Sequence, residues 1–135
     1  MARLIIVILL AAALVSVALL EQHTINRHYS RLENDVLALI ARLEPVPDKD
    51  EGGRIDTAEN IAMITRMYEE WLKSERKLSM LARHFDLSQV STNLIYAKNF
   101  ITFNNKEEAM VGLLQVRYLI KTHTFNIGTS IQNVI

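Results

Sequence analysis

Ile25 to Leu43 reads I-N-R-H-Y-S-R-L-E-N-D-V-L-A-L-I-A-R-L. Its apolar members Ile25, Tyr29, Leu32, Val36, Leu39 and Leu43 recur at spacings of 4, 3, 4, 3 and 4. Residues three and four apart share one face of an α-helix, so this is a heptad seam, with Ala38 and Ile40 widening it. Such a seam zips with a second copy or packs on helices downstream, the commoner outcome for so short a repeat. No Gly or Pro lies between Met1 and Glu44. One continuous helix from about Arg3 to Leu43 is expected, rising ~60 Å at 1.5 Å per residue.

Towards the N-terminus the same helix becomes wholly apolar. Leu4 to Leu20 reads L-I-I-V-I-L-L-A-A-A-L-V-S-V-A-L-L, with Ser16 its one polar side chain. That hydroxyl can bond back to a carbonyl one turn earlier. About 17–25 apolar residues span the hydrocarbon layer, so residues 1–20 are read as a transmembrane anchor at the short end of that range. The alternative is a cleaved signal peptide, with Arg3 as its positive flank and Ser16-Val17-Ala18 as the small-x-small site. The apolar run continues past that site through Leu19 and Leu20, and a helical pattern follows without a break, which favours the anchor. Arg3 before the span and Arg27 and Arg31 after it nearly balance the positive-inside rule. A short leading tail usually stays in the cytoplasm, which would put residues 21–135 outside. Ala12 and Ser16 form a small-xxx-small pair of the kind that supports association in a bilayer.

Towards the C-terminus, residues 21–44 form a juxtamembrane helix ended by Pro45 and Pro47. Residues 45–55 make a linker, acidic through Asp48, Asp50 and Glu51 and flexible through Gly52 and Gly53. Residues 56–135 are read as a helical bundle domain. Asp56-Thr57-Ala58-Glu59 has the shape of a capping box with Asp56 as N-cap. The apolar face of the helix that follows includes Ile61, Ile64, Met67, Tyr68, Trp71, Leu72, Leu78, Leu81, Ala82 and Phe85, and Met63, Met67 and Met80 read as core fillers. A break near His84 to Asp86, capped by Asp86 or Ser88, precedes a helix carrying Leu87, Val90, Leu94, Ala97 and Ile101. Asn104-Asn105 forms a turn. Lys106 to His123 forms the last long helix, with Glu107 and Glu108 in its first turn, where the helix dipole favours them. A hairpin about that turn sets Ala97 opposite Gly112, letting two helix axes approach closely. This accounts for a mid-helix glycine that otherwise costs ~1 kcal/mol against Ala. Thr124 to Ile135, with Ile127, Ile131, Val134 and Ile135, is expected to fold back as a short turn of helix. The fold class is all-α: a transmembrane helix running into a long helix, then a small bundle of three antiparallel helices.

The order of these features resembles a known family. It comprises an apolar anchor, a helix with Trp71, L-x-x-L-A-R-H over Leu78 to His84, a hydrophobic helix, F-N-N-K-E-E-A over Phe103 to Ala109, and a closing helix with the tail Asn133-Val134-Ile135. This is similar to the bacterial family catalogued as domain of unknown function 4363, over nearly the whole chain. The resemblance implies a small, membrane-anchored protein of a kind typical of Firmicutes. It implies no particular activity.

Composition narrows the function classes. Lys plus Arg and Asp plus Glu number 15 each, so the formal net charge is zero. A nucleic-acid binder usually shows a basic excess, so none is expected as partner. With no cysteine, disulfides, thiolate zinc sites and cysteine nucleophiles are excluded. Four Gly and two Pro suit long helices better than a turn-rich β fold. No G-x-S-x-G, Gly-rich phosphate loop or H-E-x-x-H occurs. The chain is therefore read as no enzyme and as having no evident small-molecule substrate. A site of dispersed residues such as Glu75 and His84 is the catalytic alternative. His23, His28, His84 and His123 form no i,i+3 or i,i+4 pair. Glu69-Glu70 and Glu107-Glu108 point ~100° apart on a helix, which suits solvated faces.

One stretch suggests a cation. Asp48 to Glu59 reads D-K-D-E-G-G-R-I-D-T-A-E. Set on the EF-hand loop, Asp48, Asp50, Asp56 and Glu59 take ligand positions 1, 3, 9 and 12, and Gly53 takes the sharp turn at 6. Calcium needs such alternating oxygens and a closing bidentate carboxylate. Against it, Gly52 supplies no oxygen at position 5, and Pro45 and Pro47 interrupt the entering helix. The bland alternative is a solvated acidic linker with an ordinary cap. The expected function is a membrane-anchored extracytoplasmic interaction or scaffold module at the cell membrane. It would bind another membrane or envelope protein, or itself; the alternative is a calcium-binding version of the same module.

Overall fold

A computed structural model of the chain describes residues 1–80 and 84–132, with side chains except those of His84 and residues 124–132. Helix α1 runs unbroken over Ala2–Leu43. Its first half carries no core: every residue from 1 to 21 is exposed. Ser16 Oγ donates to the Ala12 carbonyl at 2.8 Å, so the one hydroxyl of the apolar run is satisfied within the helix. This half is long and apolar enough to cross a membrane. The second half buries Ile25, Tyr29, Leu32, Val36, Leu39 and Leu43, the six seam residues. The seam packs on α2 (Ala58–Leu78) and α4 (Lys106–Gln132), so the chain's own helices cover it.

Helix α3 (His84–Thr102) completes a ring in which α1 contacts α2, α2 contacts α3, α3 contacts α4 and α4 returns to α1. A turn over residues 103–105 makes α3 and α4 antiparallel neighbours, and the longer α1–α2 connection also reverses the chain, since His28 meets Ser74 and Arg42 meets Asn60. No strand occurs among the described residues. One core runs the length of the ring, from Ile25 and Ile120 at one end to Leu43, Ile55 and Ile101 at the other. Between α3 and α4, a Cβ on Gly112 would lie 3.1 Å from Ala97 Cβ and 2.9 Å from Tyr96 Cδ1. Ala97 and Gly112 thus meet at one level, as their spacing about the turn predicts.

Several local expectations are corrected. The N-cap of α2 is Thr57, whose hydroxyl accepts from Asn60 N–H at 3.2 Å, rather than Asp56. Asp56 is drawn back by Arg54, which grips both its oxygens at 3.0 and 2.6 Å. Helix α2 stops at Leu78, where the Ser79 hydroxyl donates to the Arg76 carbonyl, and α3 starts at His84. Met80 and Phe85 therefore sit at a corner and are exposed instead of filling the core. Helix α4 continues to Gln132, where a fold-back from Thr124 was expected; no proline stops it. Leu81, Ala82, Val134 and Ile135, and the side chains of His84, Ile127 and Ile131, lie outside the described residues.

Candidate functional site

Two places gather polar groups against the core, one at each end of the bundle. At the end remote from the apolar segment, the α1–α2 connection makes a 3-10 turn over Lys49–Glu51. The Asp48 carbonyl accepts from both Glu51 N–H and Gly53 N–H. Gly52 adopts φ +85, a left-handed conformation that costs glycine nothing. A Cβ on Gly53 would stand 1.6 Å from the Pro47 carbonyl oxygen, so the chain passes itself at backbone distance. The segment then dives inward, and Ile55 is 1% exposed.

Burying Ile55 buries its peptide groups too, and both are met by side-chain amides. Ile55 N–H donates to Asn104 Oδ1 at 2.7 Å, and its carbonyl accepts from Asn60 Nδ2 at 3.0 Å. Asn104 Nδ2 also donates to the Gly53 carbonyl at 3.2 Å, and Asn60 Oδ1 accepts from Arg42 Nε at 3.1 Å. Asn104 has φ +53, the one non-glycine residue with positive φ among the described residues. It ends α3 in a Schellman turn, in which Asn105 N–H reaches the Phe100 carbonyl and Asn104 N–H reaches that of Ile101. Asn105 then caps α4, accepting from Glu108 N–H. Lys106 Nζ donates to the Glu44 and Val46 carbonyls at 2.8 and 2.5 Å, where the end of α1 presents unpaired acceptors. The linker expected to be loose is pinned by three elements.

The carboxylates proposed for calcium are placed differently by this arrangement. Asp56 is held by Arg54, and Glu59 by Arg42 at 2.6 Å. The Arg54 hydrogen bonds hold the Asp56 carboxyl below its ordinary range. Asp48 and Asp50 border a groove of about 470 Å³ with Phe100, Phe103 and Glu107, whereas Glu59 borders another with Arg42 and Arg54. No group of three or more acidic or histidine side chains comes together among the described residues. The left-handed glycine is Gly52 rather than Gly53, one position short of the EF-hand turn.

At the other end, α1 and α2 enclose a groove of about 190 Å³ lined by His28, Arg31, Glu70, Trp71, Lys73 and Lys77, among others. His28 Nδ1 lies 2.8 Å from Ser74 Oγ, whose proton goes to the Glu70 carbonyl at 3.1 Å. Arg31 reaches Glu70 at 3.7 Å. Burial, then the nearby Lys77, Arg27 and Arg31, push His28 below its ordinary range. Behind the groove Tyr29 tilts against Trp71 with ring centroids 5.3 Å apart, and stacks on His123 at 4.6 Å. Burial raises the Tyr29 phenol and lowers His123, the latter opposed by Asp86. Trp71 Nε1 donates to the Leu87 carbonyl at 3.4 Å, and Ser91 donates to Glu75, which ties α2 to α3.

A family profile matches residues 25–134. The chain belongs to the family described as Domain of unknown function (DUF4363). The matched span opens at Ile25, the first buried residue of the seam, so the DUF4363 unit coincides with the bundle and begins after the apolar run. No curated protein and no solved structure matches the chain. Within this DUF4363 bundle, the clasp of Ile55 by the Asn60 and Asn104 amides and the His28–Ser74 contact escaped the sequence reading, which places Asn104 only in a turn. Asn104 left a signal there, since an Asn-Asn pair between helices favours a left-handed turn. The reach of its amide to Ile55 left none.

Proposed function

We propose that this DUF4363 protein is a single-pass membrane protein whose bundle is held beside the bilayer as an interaction module. The unbroken passage of α1 from an exposed apolar half into a buried seam carries this reading. Among the described residues none buries residues 4–20, whereas five residues after Leu20, at Ile25, the same helix enters the core against α2 and α4. The run is about 26 Å long at 1.5 Å per residue, against a hydrocarbon layer of about 30 Å, and flanking residues make up the difference. A helix without a hinge transmits the orientation of the anchor to the bundle.

The bundle belongs outside the cytoplasm in this reading, with Arg3 and the N-terminus inside. Its partner is another membrane or envelope protein, or a second copy of the chain. Flotation with vesicles and resistance to alkaline extraction test the anchor. A reporter fused after Ile135 tests the orientation: activity of a reporter that works only outside the cytoplasm is expected, and activity of a cytoplasm-only reporter would reverse the topology. Cross-linking in intact membranes, followed by identification of the adduct, tests the partner class.

A further inference from the structure

The formal charge is zero, but charge is sorted along the bundle. Residues 44–59, at the end away from the apolar half of α1, hold Glu44, Asp48, Asp50, Glu51, Asp56 and Glu59 against Lys49 and Arg54. At the near end, α1 and α2 present Arg27, Arg31, Lys73, Arg76 and Lys77 against Glu21, Glu69, Glu70 and Glu75, a small positive excess where the far end is acidic. Of the five cations, only Arg31 has an ion-pair partner among the described residues. The His28–Ser74 and Arg31–Glu70 contacts set the antiparallel register of α1 and α2. That register puts Lys77 level with Thr24 or Ile25, and Lys73 level with His28 or Tyr29. Counted from Leu20, these heights are about 7 and 13 Å at 1.5 Å per residue. The headgroup layer is about 5–7 Å deep on each side of the hydrocarbon, so flexible lysine stems reach it from these positions.

We propose that the groove between α1 and α2, walled by His28, Arg31, Lys73, Ser74 and Lys77, binds the phosphate of an anionic lipid headgroup. The inference rests on the membrane-anchor reading above and adds a ligand to it. The acidic side chains nearby do not neutralise the groove. Glu70 is taken by Arg31, Glu75 accepts from Ser91 on α3, and Asp35 lies two turns of α1 farther from the apolar segment than His28. His28 is lowered first by burial and then by the positive charges of Lys77, Arg27 and Arg31, so three cations lie close enough to the groove to act on it. Two ammonium groups with no ion-pair partner among the described residues line this concave surface beside the Arg31–Glu70 pair, which suits a phosphate with its diffuse charge.

The test uses the full chain reconstituted in vesicles of phosphatidylcholine alone, or of an equimolar mixture with phosphatidylglycerol. Flotation first establishes whether the chain is in the bilayer. Thermal unfolding of the bundle is then followed by circular dichroism. A midpoint higher by at least about 4 °C in the anionic vesicles is expected, since a ligand present well above its Kd stabilises the state that binds it. The gain should vanish in a K73E/K77E variant, survive in K49E at the far end, and shrink at about 1 M salt, where the Debye length is about 3 Å. Both lysines are exposed, and unfolding of K73E/K77E in zwitterionic detergent alongside the parent checks that the fold is intact. Equal midpoints in the two vesicles, or a gain that K73E/K77E retains, would overturn the headgroup site while leaving the anchor standing. A chain that fails to float would overturn both. An equal gain from inorganic phosphate added to phosphatidylcholine vesicles would reassign the groove to a soluble anion and overturn the lipid as its ligand.

Discussion

Asn104 and Ile55 lie 49 positions apart, yet the Asn104 amide oxygen accepts the Ile55 backbone N–H at 2.7 Å. The same amide donates to Gly53, and the residue itself occupies a left-handed turn at φ +53. Asparagine combines tolerance of that conformation with a donor and an acceptor on a short stem. Replacing it by Gly removes both hydrogen bonds but keeps the turn, with a cost of about 1–3 kcal/mol for the orphaned Ile55 N–H. Replacing it by Ala adds about 1–2 kcal/mol of left-handed strain. Urea unfolding should therefore rank the parent above N104G and N104G above N104A. Equal stability of the last two would show that the turn conformation contributes nothing.

Gly52, Gly53 and Gly112 respond differently to a methyl group. Gly53→Ala meets the Pro47 carbonyl at 1.6 Å, and backbone cannot yield, so the linker must refold. Gly112→Ala meets Tyr96 and Ala97 at 2.9–3.2 Å, and the gain of about 1 kcal/mol in helix propensity is offset by overpacking of about 1–3 kcal/mol. Gly52→Ala touches nothing within 4 Å and suffers only from φ +85. Gly52→Asn should lie near the parent. Melting temperatures of the set are expected to fall in the order parent, G52N, G112A, G53A, and a G53A protein as stable as the parent would contradict the close approach at Pro47.

His28 and His123 are both pushed below the ordinary value of 6.5, chiefly by burial. A group whose folded pKa is depressed binds its proton first in the unfolded chain. Acidification through 6.5 therefore favours unfolding, and the loss continues until the folded-state pKa is reached. The bundle should melt at a lower temperature near about pH 5 than near pH 7.5, with a shallower slope in a His28→Gln/His123→Phe variant, where Phe keeps the stacking face for Tyr29. A parent that is more stable at the acidic end would reverse the assigned burial effect.

The loop from Asp48 to Glu59 has two of its four candidate ligands committed to arginines, at 2.6 Å for Arg54–Asp56 and 2.6 Å for Arg42–Glu59. A calcium ion would have to displace both guanidinium groups and move the left-handed turn from Gly52 to Gly53. Calorimetric titration of the full chain in detergent with millimolar calcium is expected to show no saturable one-site heat. Saturable binding lost in both D48A and E59A would demonstrate that the loop rearranges into a cation site.

Periodicity and punctuation carried the reading of the helices. The six seam residues of α1 are the ones buried there, the prolines end that helix, and Ala97 meets Gly112 as a hairpin about Asn104-Asn105 requires. These are consequences of helix geometry, which repeats every few residues and can be counted along a chain. Exposure at corners was harder to read. Met80 and Phe85 continue the apolar pattern of α2 in sequence but fall where the backbone turns, so the pattern outlived the helix that would have buried them.

By itself, the sequence determined the apolar run, the heptad seam, the all-helical class and the turn at Asn104-Asn105, because each depends on neighbours within one or two helical turns. Tertiary structure alone decided what covered the seam, which carboxylates were taken by arginines, and how Ile55 was held. Those outcomes depend on hydrogen bonds and ion pairs with specific geometry between segments, such as Arg42 with Glu59 and Asn104 with Gly53 and Ile55. A buried peptide group must find a partner, but only the packed fold determines which distant side chain arrives within 3 Å of it.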